Sequence, residues 1–435
     1  MKSSTARLFA SDVPFDPRHL PFYYGWIILL IAVLAMAAGM PGQTVGFTPF
    51  TEPLLATSGL SRTALTQCYC IGTILAGILL PHGGHLVDRF GCRRFMCIAV
   101  VGVGLTMIYL SLVPATAGRL AGIVPAAAAW MLALTIGIFF LRFFGQGMLA
   151  VVSNTLIGRW FENRRGRAVA ALSISNGIMF NSTPIVIYSI TQHLGWRGAW
   201  LWLGLASCTL LPVVCWLFCR DSPETCGIVV DGQADDTGAN GEPPGVTVAA
   251  AVRTLEFWTV VMVSAISGLI ITGFTFHLVA IGAEAGVDEQ KALVIFIPAA
   301  CISIPAGFAI SWVSDRLGVK RVLLFMCAAQ LLCYAALGFL HLRTGYVLSI
   351  LGLGLSGACM GPIMTLSMPA FFGRRHLGAI QGKYQSFLVF ASAAGPLYFA
   401  LVEHVTGTFR NAMLYALVIP VMGFVLTLKL QDRRY

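Results

Sequence analysis

The chain alternates long apolar stretches with short polar connections. Apolar windows of about 20 residues, the length that crosses roughly 30 Å of hydrocarbon as an α-helix, begin soon after residue 20 and recur to the end. Segments of about ten residues with alternating polarity, typical of a transmembrane β-barrel, are absent from the sequence. The pattern predicts twelve transmembrane helices, near 24–48, 62–82, 95–115, 126–152, 168–191, 198–219, 256–281, 290–313, 321–340, 345–370, 378–402 and 410–429.

One polar connection, 220–254, is much longer than the others. It contains Gly, Pro and several acidic residues, a composition typical of a flexible linker. It separates a predicted N-terminal six-helix bundle (22–219) from a C-terminal one (255–430), and short cytoplasmic segments (1–21 and 431–435) flank the two. We therefore expect an all-α membrane protein with twelve transmembrane helices in two pseudo-symmetric six-helix bundles.

Composition narrows the class of protein. Hydrophobic residues make up 57% of the chain and charged residues 11%, against about 25% charged in soluble proteins. This excludes a disordered chain, a collagen and a soluble enzyme. The 12 cysteines are sparse, lie mostly inside apolar windows and form no CxxC pair, so we interpret them as reduced apolar side chains and expect neither a metal nor a cofactor. Residues 1–21 contain no apolar region with a cleavage site, so the first span is expected to be retained.

Lys and Arg residues set the predicted orientation. Of the 28 basic residues, 20 lie on the side of the two termini and 6 on the other side, and the remaining two, Arg142 and Lys383, fall inside spans. Positive residues accumulate on the cytoplasmic side of membrane proteins. We expect both termini in the cytoplasm, in a bacterial inner membrane, and we read the net charge of +10 as a topology signal with no nucleic-acid partner.

Each half carries the same short cytoplasmic motif, Asp-Arg-x-Gly-x followed by two basic residues. The motif begins at Asp88 in the first half and at Asp315 in the second, 227 residues later. A glycine four residues before the aspartate of the first half, Gly84, allows two helices to approach closely, and the aspartate can pair with an arginine or a helix N-terminus. Such a charged contact can latch one conformation of a transporter, whereas plain topogenic charge is the alternative explanation. The predicted latch comprises Gly84, Asp88, Arg89, Gly91, Arg93 and Arg94 in the first copy and Asp315, Arg316 and Gly318 in the second.

At these residues the chain resembles the major facilitator superfamily of transporters. The second copy departs from the pattern, with Ser311 in place of the first glycine. Within the superfamily it is similar to the monocarboxylate-transporter-like and oxalate/formate antiporter branch, on the aromatic-Gly-Trp opening of the first span and on Trp160-Phe161 before Arg164-Arg165. The resemblance implies a small organic acid as substrate. The lysine of animal monocarboxylate transporters in the first span is replaced here by Gln43 or Thr44, and the arginine of the eighth span is missing.

Three ionisable side chains lie within predicted spans. A charge at bilayer depth costs about 2.5–3.5 kcal/mol and usually faces a water-filled cavity or a partner. Arg142 either binds a carboxylate or holds helices one and four through backbone carbonyls. Lys383 either attracts an anion or extends to the cytoplasmic surface. His277 is the candidate proton carrier, with a hydrogen-bonded core histidine as the alternative. Gln43, Asn176 and Tyr384 are further candidates for a polar substrate pocket, although each is also a common helix-packing residue.

The sequence therefore predicts a secondary active transporter that works by alternating access and is not an enzyme. We expect it to move a small organic anion, a monocarboxylate, together with protons, as a monomer in the lipid bilayer. The alternative is an exchanger or exporter of other small solutes, including drug-like compounds. A membrane enzyme or sensor is the third class, and the sequence has no GxxxxGK[ST], HExxH or GxSxG pattern to support it.

Overall fold

The structure is a computed structural model that describes residues 13–230, 245–287 and 294–430. The side chains at positions 62, 181, 279, 315 and 316 are outside the described part, as are residues 1–12, most of the expected linker (231–244) and the expected C-terminal tail (431–435). The side chains of the latch candidates Asp315 and Arg316 therefore lie outside the described residues.

The described chain is almost entirely α-helical. The first half contains six long helices: α1 (Gly25–Gly39), α2 (Arg62–Phe90), α3 (Cys92–Ser111), α4 (Ala126–Trp160), α5 (165–194) and α6 (196–218). The second half contains α7 (Leu255–Phe276), α8 (Phe296–Leu317), α9 (Val319–Leu337), α10 (Arg343–Phe372), α11 (Leu377–Thr406) and α12 (Arg410–Lys429).

The count of spans depends on one glycine. In the described residues, eleven continuous helical stretches are long and apolar enough to cross a membrane, and the longest helix, Arg165–Phe218, has 54 residues. A 54-residue helix is about 80 Å long, far more than one bilayer requires. Its backbone leaves the helical region at Gly195, with φ 67° and ψ 164°, so α5 and α6 are two helices. The described chain thus has the twelve helices that its apolar pattern predicted.

The repeated motif ends two helices in the same way. Gly91 follows α2 with φ 92°, and Gly318 follows α8 with φ 76°. Backbone at such positive φ strongly favours glycine. The tight turn expected at these two positions is therefore present in both halves.

Two predicted spans are interrupted inside their expected bounds. The α-helical part of α1 ends at Gly39 and continues as a single 3-10 turn, Met40–Gly42, that contains Pro41. Proline lacks the backbone N–H that would continue the helix, which accounts for the break. The α-helix α7 ends at Phe276, and after His277 a short helix (Leu278–Glu284) follows.

The contacts of the chain group it into two compact units. Unit 1 comprises Met1–Glu162, Ile178–Glu242 and Gly378–Ser386, and its interior contains Trp160, Trp200 and Phe50, the last two stacked with ring centroids 3.9 Å apart. Unit 2 comprises Asn163–Gly177, Pro243–Leu377 and Phe387–Tyr435, and its core is an apolar cluster built mainly on α7, α9 and α12.

Candidate functional site

Arg142 lies in the middle of α4, within a π-helical turn formed by Arg142–Met148. π-helical turns inside α-helices are rare and frequently mark functional sites. The side chain is only 2% exposed. Its Nη1 donates a hydrogen bond to the carbonyl oxygen of Gly42 at 3.0 Å, and its guanidinium carbon lies 5.0 Å from the ring centroid of Tyr69. The buried cation is therefore held from two sides by neutral groups.

The end of α1 supplies one wall of this site. Gln43 follows the 3-10 turn with extended backbone (φ −78°, ψ 158°) and is half-buried. Thr44 follows Gln43 directly, and its Oγ1 accepts a hydrogen bond from the hydroxyl of Tyr69 at 2.9 Å. After the break in α1, Thr44 thus bonds to the tyrosine, and Gln43 directly follows the residue whose carbonyl holds Arg142. Of the five predicted substrate-binding residues, Arg142 and Gln43 are the two that this region brings together.

Two glycines of the first span, Gly39 and Gly42, let it approach the π-helical turn of Arg142 closely. A Cβ atom on Gly39 would lie 2.5 Å from the carbonyl oxygen of Gly145, and one on Gly42 would lie 2.6 Å from the carbonyl oxygen of Leu141. Real Cβ atoms do not approach oxygen so closely, so both positions require glycine in this packing. Because these glycines have no side chain to separate the two helices, the Arg142 side chain can bond to the carbonyl of Gly42.

Arg142 lacks an acidic partner in the described part of the chain. Ion pairs between described residues join Arg18 to Asp16 and Arg159 to Asp88, and Arg142 takes part in neither. The Nε atom of Arg142 is buried with no hydrogen-bond acceptor, and the buried Oε1 of Gln146, one turn later, has no donor. An arginine with unused donors presents the planar fork that binds carboxylates.

Lys383 and Tyr384 are adjacent on α11, in the stretch that belongs to unit 1. Lys383 is half-buried, and no hydrogen bond or ion pair joins it to any described residue. Tyr384 is fully buried. Lysine is therefore the more accessible of these two predicted binding residues.

Asn176 and His277 belong to unit 2. Asn176 is exposed on α5. His277 is half-buried, stacks on Phe399 at 6.3 Å between ring centroids and lies 5.1 Å from the ring of Phe409. Its Nε2 is 3.1 Å from the carbonyl oxygen of Pro396. Because a carbonyl can only accept, Nε2 carries the proton in this contact, which leaves Nδ1 as the nitrogen that can take up another.

Asp88 of the predicted latch accepts hydrogen bonds from Arg159 and from the start of α11. Its Oδ1 accepts from Nη2 of Arg159 at 2.7 Å and from the backbone N–H of Gly378 at 2.9 Å, and its Oδ2 accepts from the N–H of Ala379 at 2.7 Å. A Cβ atom on Gly84 would collide with the carbonyl oxygen of Gly378. A carboxylate at the N-terminus of α11 satisfies N–H groups that the helix itself leaves unpaired.

The basic residues of the motif have separate contacts. Arg93 is 1% exposed and donates through Nε to the carbonyl of Trp216 at 2.9 Å and through Nη2 to that of Val13 at 2.7 Å. In the second half, Nζ of Lys320 donates to the carbonyls of Leu428 and Leu430 at 2.9 and 2.7 Å. Both side chains therefore cap the last turn of a helix in the same half, a role that the motif alone did not indicate.

The remaining latch residues of the first copy are Arg89, Gly91 and Arg94, which lie close to Arg93 in the sequence. Arg89 is exposed, with its guanidinium 5.2 Å from the ring of Phe90, and Arg94 is half-buried. A Cβ atom on Gly91 would lie 2.5–2.7 Å from the carboxylate of Asp221, which accepts a hydrogen bond from the backbone N–H of Arg93 at 2.8 Å. Gly91 is thus needed both for its backbone conformation and for the space that Asp221 occupies.

The sequence did not indicate Arg159 or Asp221 as partners of the repeated motif. Arg159 lies in the last turn of α4 and pairs with Asp88 of α2. Its position directly before Trp160-Phe161 was the available signal. No signal in the sequence pairs Asp221 with Gly91, because the two are 130 positions apart and meet only in the folded chain.

A family model for the Major Facilitator Superfamily matches residues 27–396. The chain belongs to this family. It is a transporter of small molecules and an integral multi-pass membrane protein, and it is not an enzyme. The resemblance on the repeated cytoplasmic motif, and the twelve-helix fold that it implied, are confirmed.

Several transporters are similar to this member of the superfamily. An uncharacterised MFS-type transporter of Bacillus subtilis, YcxA, is 24% identical over 82% of this chain and 83% of its own. A gallate transporter of Pseudomonas putida is 24% identical over 79% and 77%. Monocarboxylate transporter 13 of Bos taurus is 22% identical over 90% and 86%, and an oxalate:formate antiporter of Oxalobacter formigenes is 23% identical over 41% and 39%.

Solved structures of the superfamily have the same fold. The proton:xylose symporter XylE, bound to 6-bromo-6-deoxy-D-glucose, superposes with a TM-score of 0.67 at 16% identity, over 94% of this chain and 97% of that one. This similarity concerns the fold alone, because the identity is low.

Proposed function

We propose that this transporter moves a small organic anion, a monocarboxylate, across the membrane together with a proton. The observation that carries the proposal is the buried guanidinium of Arg142, held only by the Gly42 carbonyl and the Tyr69 ring and without a carboxylate partner among the described residues. A desolvated cation without a counter-ion is costly unless an anion arrives. A substrate carboxylate supplies that anion and uses the donors that remain.

Two relatives agree with a carboxylate substrate. A gallate transporter and a monocarboxylate transporter each align with most of the chain, and both named substrates carry a single carboxylate. Lys383 contributes a second positive charge from α11, and Gln43 and Thr44 supply neutral polar groups beside Arg142. Because Gln43 or Thr44 stands where animal monocarboxylate transporters have a lysine, the positive charges left for the substrate are those of Arg142 and Lys383.

Uptake into proteoliposomes tests the substrate. With lactate, pyruvate and gallate as probes, we expect accumulation inside vesicles when the external pH is lower than the internal pH. Arg142→Gln should abolish this uptake, because it removes the charge and the planar fork, whereas Arg119→Gln, at an exposed position outside the long helices, should leave it unchanged. Equal uptake by Arg142→Gln and the unsubstituted protein would contradict the proposal, and uptake of neutral solutes alone would favour the exporter or exchanger class.

His277 is the proposed proton carrier. Among the described residues it is the histidine inside the helical core whose second ring nitrogen remains available, while Nε2 is committed to Pro396. His277→Gln keeps an N–H group for that carbonyl and cannot take up a proton. We expect it to exchange labelled for unlabelled substrate at the normal rate but to lose accumulation driven by a pH gradient. Accumulation that survives in His277→Gln would assign the proton to another group.

We further propose that the protein works as a monomer in a bacterial inner membrane with both termini in the cytoplasm. The 20 basic residues on the terminal side, against 6 on the other, support this orientation. The closed contacts of Asp88 with Arg159 and the start of α11 then lie on the cytoplasmic side, where they act as a latch that opens and closes during alternating access.

A further inference from the structure

One edge of the Arg142 guanidinium is left without a partner in the described part of the chain. Nη1 donates to the carbonyl oxygen of Gly42 at 3.0 Å, whereas Nε is buried and has no acceptor. No described residue accepts a hydrogen bond from Nη2. Nε and Nη2 lie on the same edge of the planar guanidinium, and two parallel N–H groups of this kind bind both oxygens of one carboxylate. A substrate carboxylate therefore has a defined place on this edge.

Gln146 provides an unpaired acceptor on the same π-helical turn, four residues after Arg142. Its side-chain oxygen Oε1 is buried and receives no hydrogen bond from the described residues. Backbone bonds in a π-helical turn join residues five apart, so residues 142 and 146 lie on nearly the same side of α4. Both also border one residue of the first span: the Gly42 carbonyl bonds to Arg142, and a Cβ atom on Gly42 would lie 3.1 Å from the backbone nitrogen of Gln146. The unpaired donors and the unpaired acceptor are therefore neighbours.

The surroundings of these two groups are polar and partly open within unit 1. Tyr69 and Gln146 are half-buried and Thr44 is exposed, so protein does not seal the site on this side. The hydroxyl of Tyr69 already donates to Thr44 at 2.9 Å and has no second proton for Gln146. A buried polar atom without a partner is unfavourable, because it has lost its hydrogen bond to water. The site thus needs an acceptor for Arg142 and a donor for Gln146.

We propose that the substrate is a hydroxy acid, a monocarboxylate that carries a hydroxyl group near its carboxylate. The inference rests on the proposed function and narrows its substrate class. The carboxylate accepts from Nε and Nη2 of Arg142, and the hydroxyl donates to Oε1 of Gln146, so each atom that is unpaired in the structure gains its partner from one molecule. Gln146 is then the residue that distinguishes one monocarboxylate from another.

Two other kinds of carboxylate fit this pair of groups less well. The oxygen of a keto acid only accepts hydrogen bonds, so it would leave Oε1 of Gln146 buried without a donor. The ammonium group of an amino acid can donate, but it would place a second positive charge beside Arg142, which pairs with no described carboxylate. A hydroxyl is a neutral donor, and it satisfies the amide without adding charge.

Equilibrium binding to the unsubstituted transporter tests the proposal without any variant. Titration calorimetry in detergent would compare lactate and 3-hydroxypropionate with propionate, which has the same carbon chain without a hydroxyl, and with the keto acid pyruvate. We expect at least one hydroxy acid to bind about tenfold or more tightly than propionate and pyruvate, because those two leave Gln146 unpaired. Equal binding of all four acids would overturn this proposal and leave the proposed function intact. Binding of none would overturn both.

Gln146→Leu tests whether this residue is the source of the preference. The variant removes the acceptor at similar side-chain size, so we expect the difference between the hydroxy acid and propionate to fall below about twofold while propionate binds as before. Gln192→Leu, at an exposed position near the end of α5, is the matched control and should keep the full difference. A difference that persists in Gln146→Leu would overturn the proposal. An equal loss for all four acids at an unchanged unfolding temperature would overturn it as well, because the amide would then donate to the carboxylate that every acid carries.

Discussion

At the scale of single residues, the charges of this transporter differ sharply in how they are compensated. Asp88 and Arg159 form a nearly buried pair, with side chains 11% and 12% exposed, whereas the Asp16–Arg18 pair joins a carboxylate to a side chain that is 62% exposed. Arg142 has only neutral partners in the part of the chain that the structure describes. The unbalanced charge thus lies at the proposed binding site, and the balanced pair lies at the latch.

Removing the Asp88 carboxylate should be costly, because Arg159 and two backbone N–H groups would lose their acceptor. We expect Asp88→Ala to lower the free energy of unfolding by roughly 3 kcal/mol. Asp88→Asn should cost less, since it retains one acceptor oxygen. Thermal unfolding in detergent measures both. Asp16→Ala, at the exposed pair, is the control and should change stability by less than about 1 kcal/mol; equal effects at positions 16 and 88 would contradict the assigned contacts.

The thiol of Cys226 should resist alkylation. Burial raises its pKa from 9.0 to about 11. Because the thiolate is the reactive form, the reactive fraction at pH 8 falls about 100-fold relative to an unperturbed thiol. Iodoacetamide labelling of native protein followed by peptide mass spectrometry should leave Cys226 unmodified. The same cysteine should react fully after denaturation in detergent, and rapid labelling of the native protein would show that the segment around it is open.

At the scale of helices, the packing of α1 on α4 decides where Arg142 finds its partner. Gly39 and Gly42 of α1 and Gly145 of α4 bring the two backbones into contact, and the proline turn at the end of α1 directs the Gly42 carbonyl to the guanidinium. The site therefore depends on small residues as much as on the arginine.

Alanine at Gly39 should separate these helices. Its Cβ atom would lie 2.5 Å from the Gly145 carbonyl oxygen, so we expect a loss of stability of about 1–3 kcal/mol and weaker transport. Gly118→Ala is the matched control: no atom lies within 4 Å of that Cβ position, and alanine favours a helix there by up to about 1 kcal/mol. Thermal unfolding and substrate uptake check both variants. A tolerated Gly39→Ala would mean that α1 and α4 are further apart than described.

The sequence predicted helices well and side-chain partners poorly, for a physical reason. Crossing a bilayer requires a local apolar stretch, so about 20 neighbouring residues are enough to identify each span. A charged residue inside such a stretch, such as Arg142, is equally easy to recognise. The partners of Arg142 and Asp88 come from distant positions, Gly42 and Tyr69 in one case and Arg159 and Gly378 in the other. Such pairings depend on how the helices pack against one another, and the apolar pattern of the sequence carries no information about that packing.

At the scale of the whole molecule, an even number of spans, twelve, is what the proposed location of both termini on one side of the membrane requires. The Gly195 break is essential to this parity, because eleven spans would put the termini on opposite sides. The distribution of basic residues supports the proposal that this shared side is the cytoplasm.

Reporter fusions test this parity. Green fluorescent protein fused after Tyr435 should fluoresce, and alkaline phosphatase at the same place should be inactive, because the former folds in the cytoplasm and the latter outside it. Fusions after Gly122, between α3 and α4, should give the opposite result. Active phosphatase at both positions would mean an even number of spans between residue 122 and the end of the chain, and would contradict the count of twelve.

The proposed cargo has an electrical consequence for the positive charge of Arg142. Moving one elementary charge through 100 mV changes the free energy by about 2.3 kcal/mol. A carboxylate and a proton bound together add no net charge, so the loaded and the unloaded carrier would respond to the membrane potential alike. Under the proposed symport the potential would therefore drive no accumulation, which would depend on the pH and substrate gradients alone.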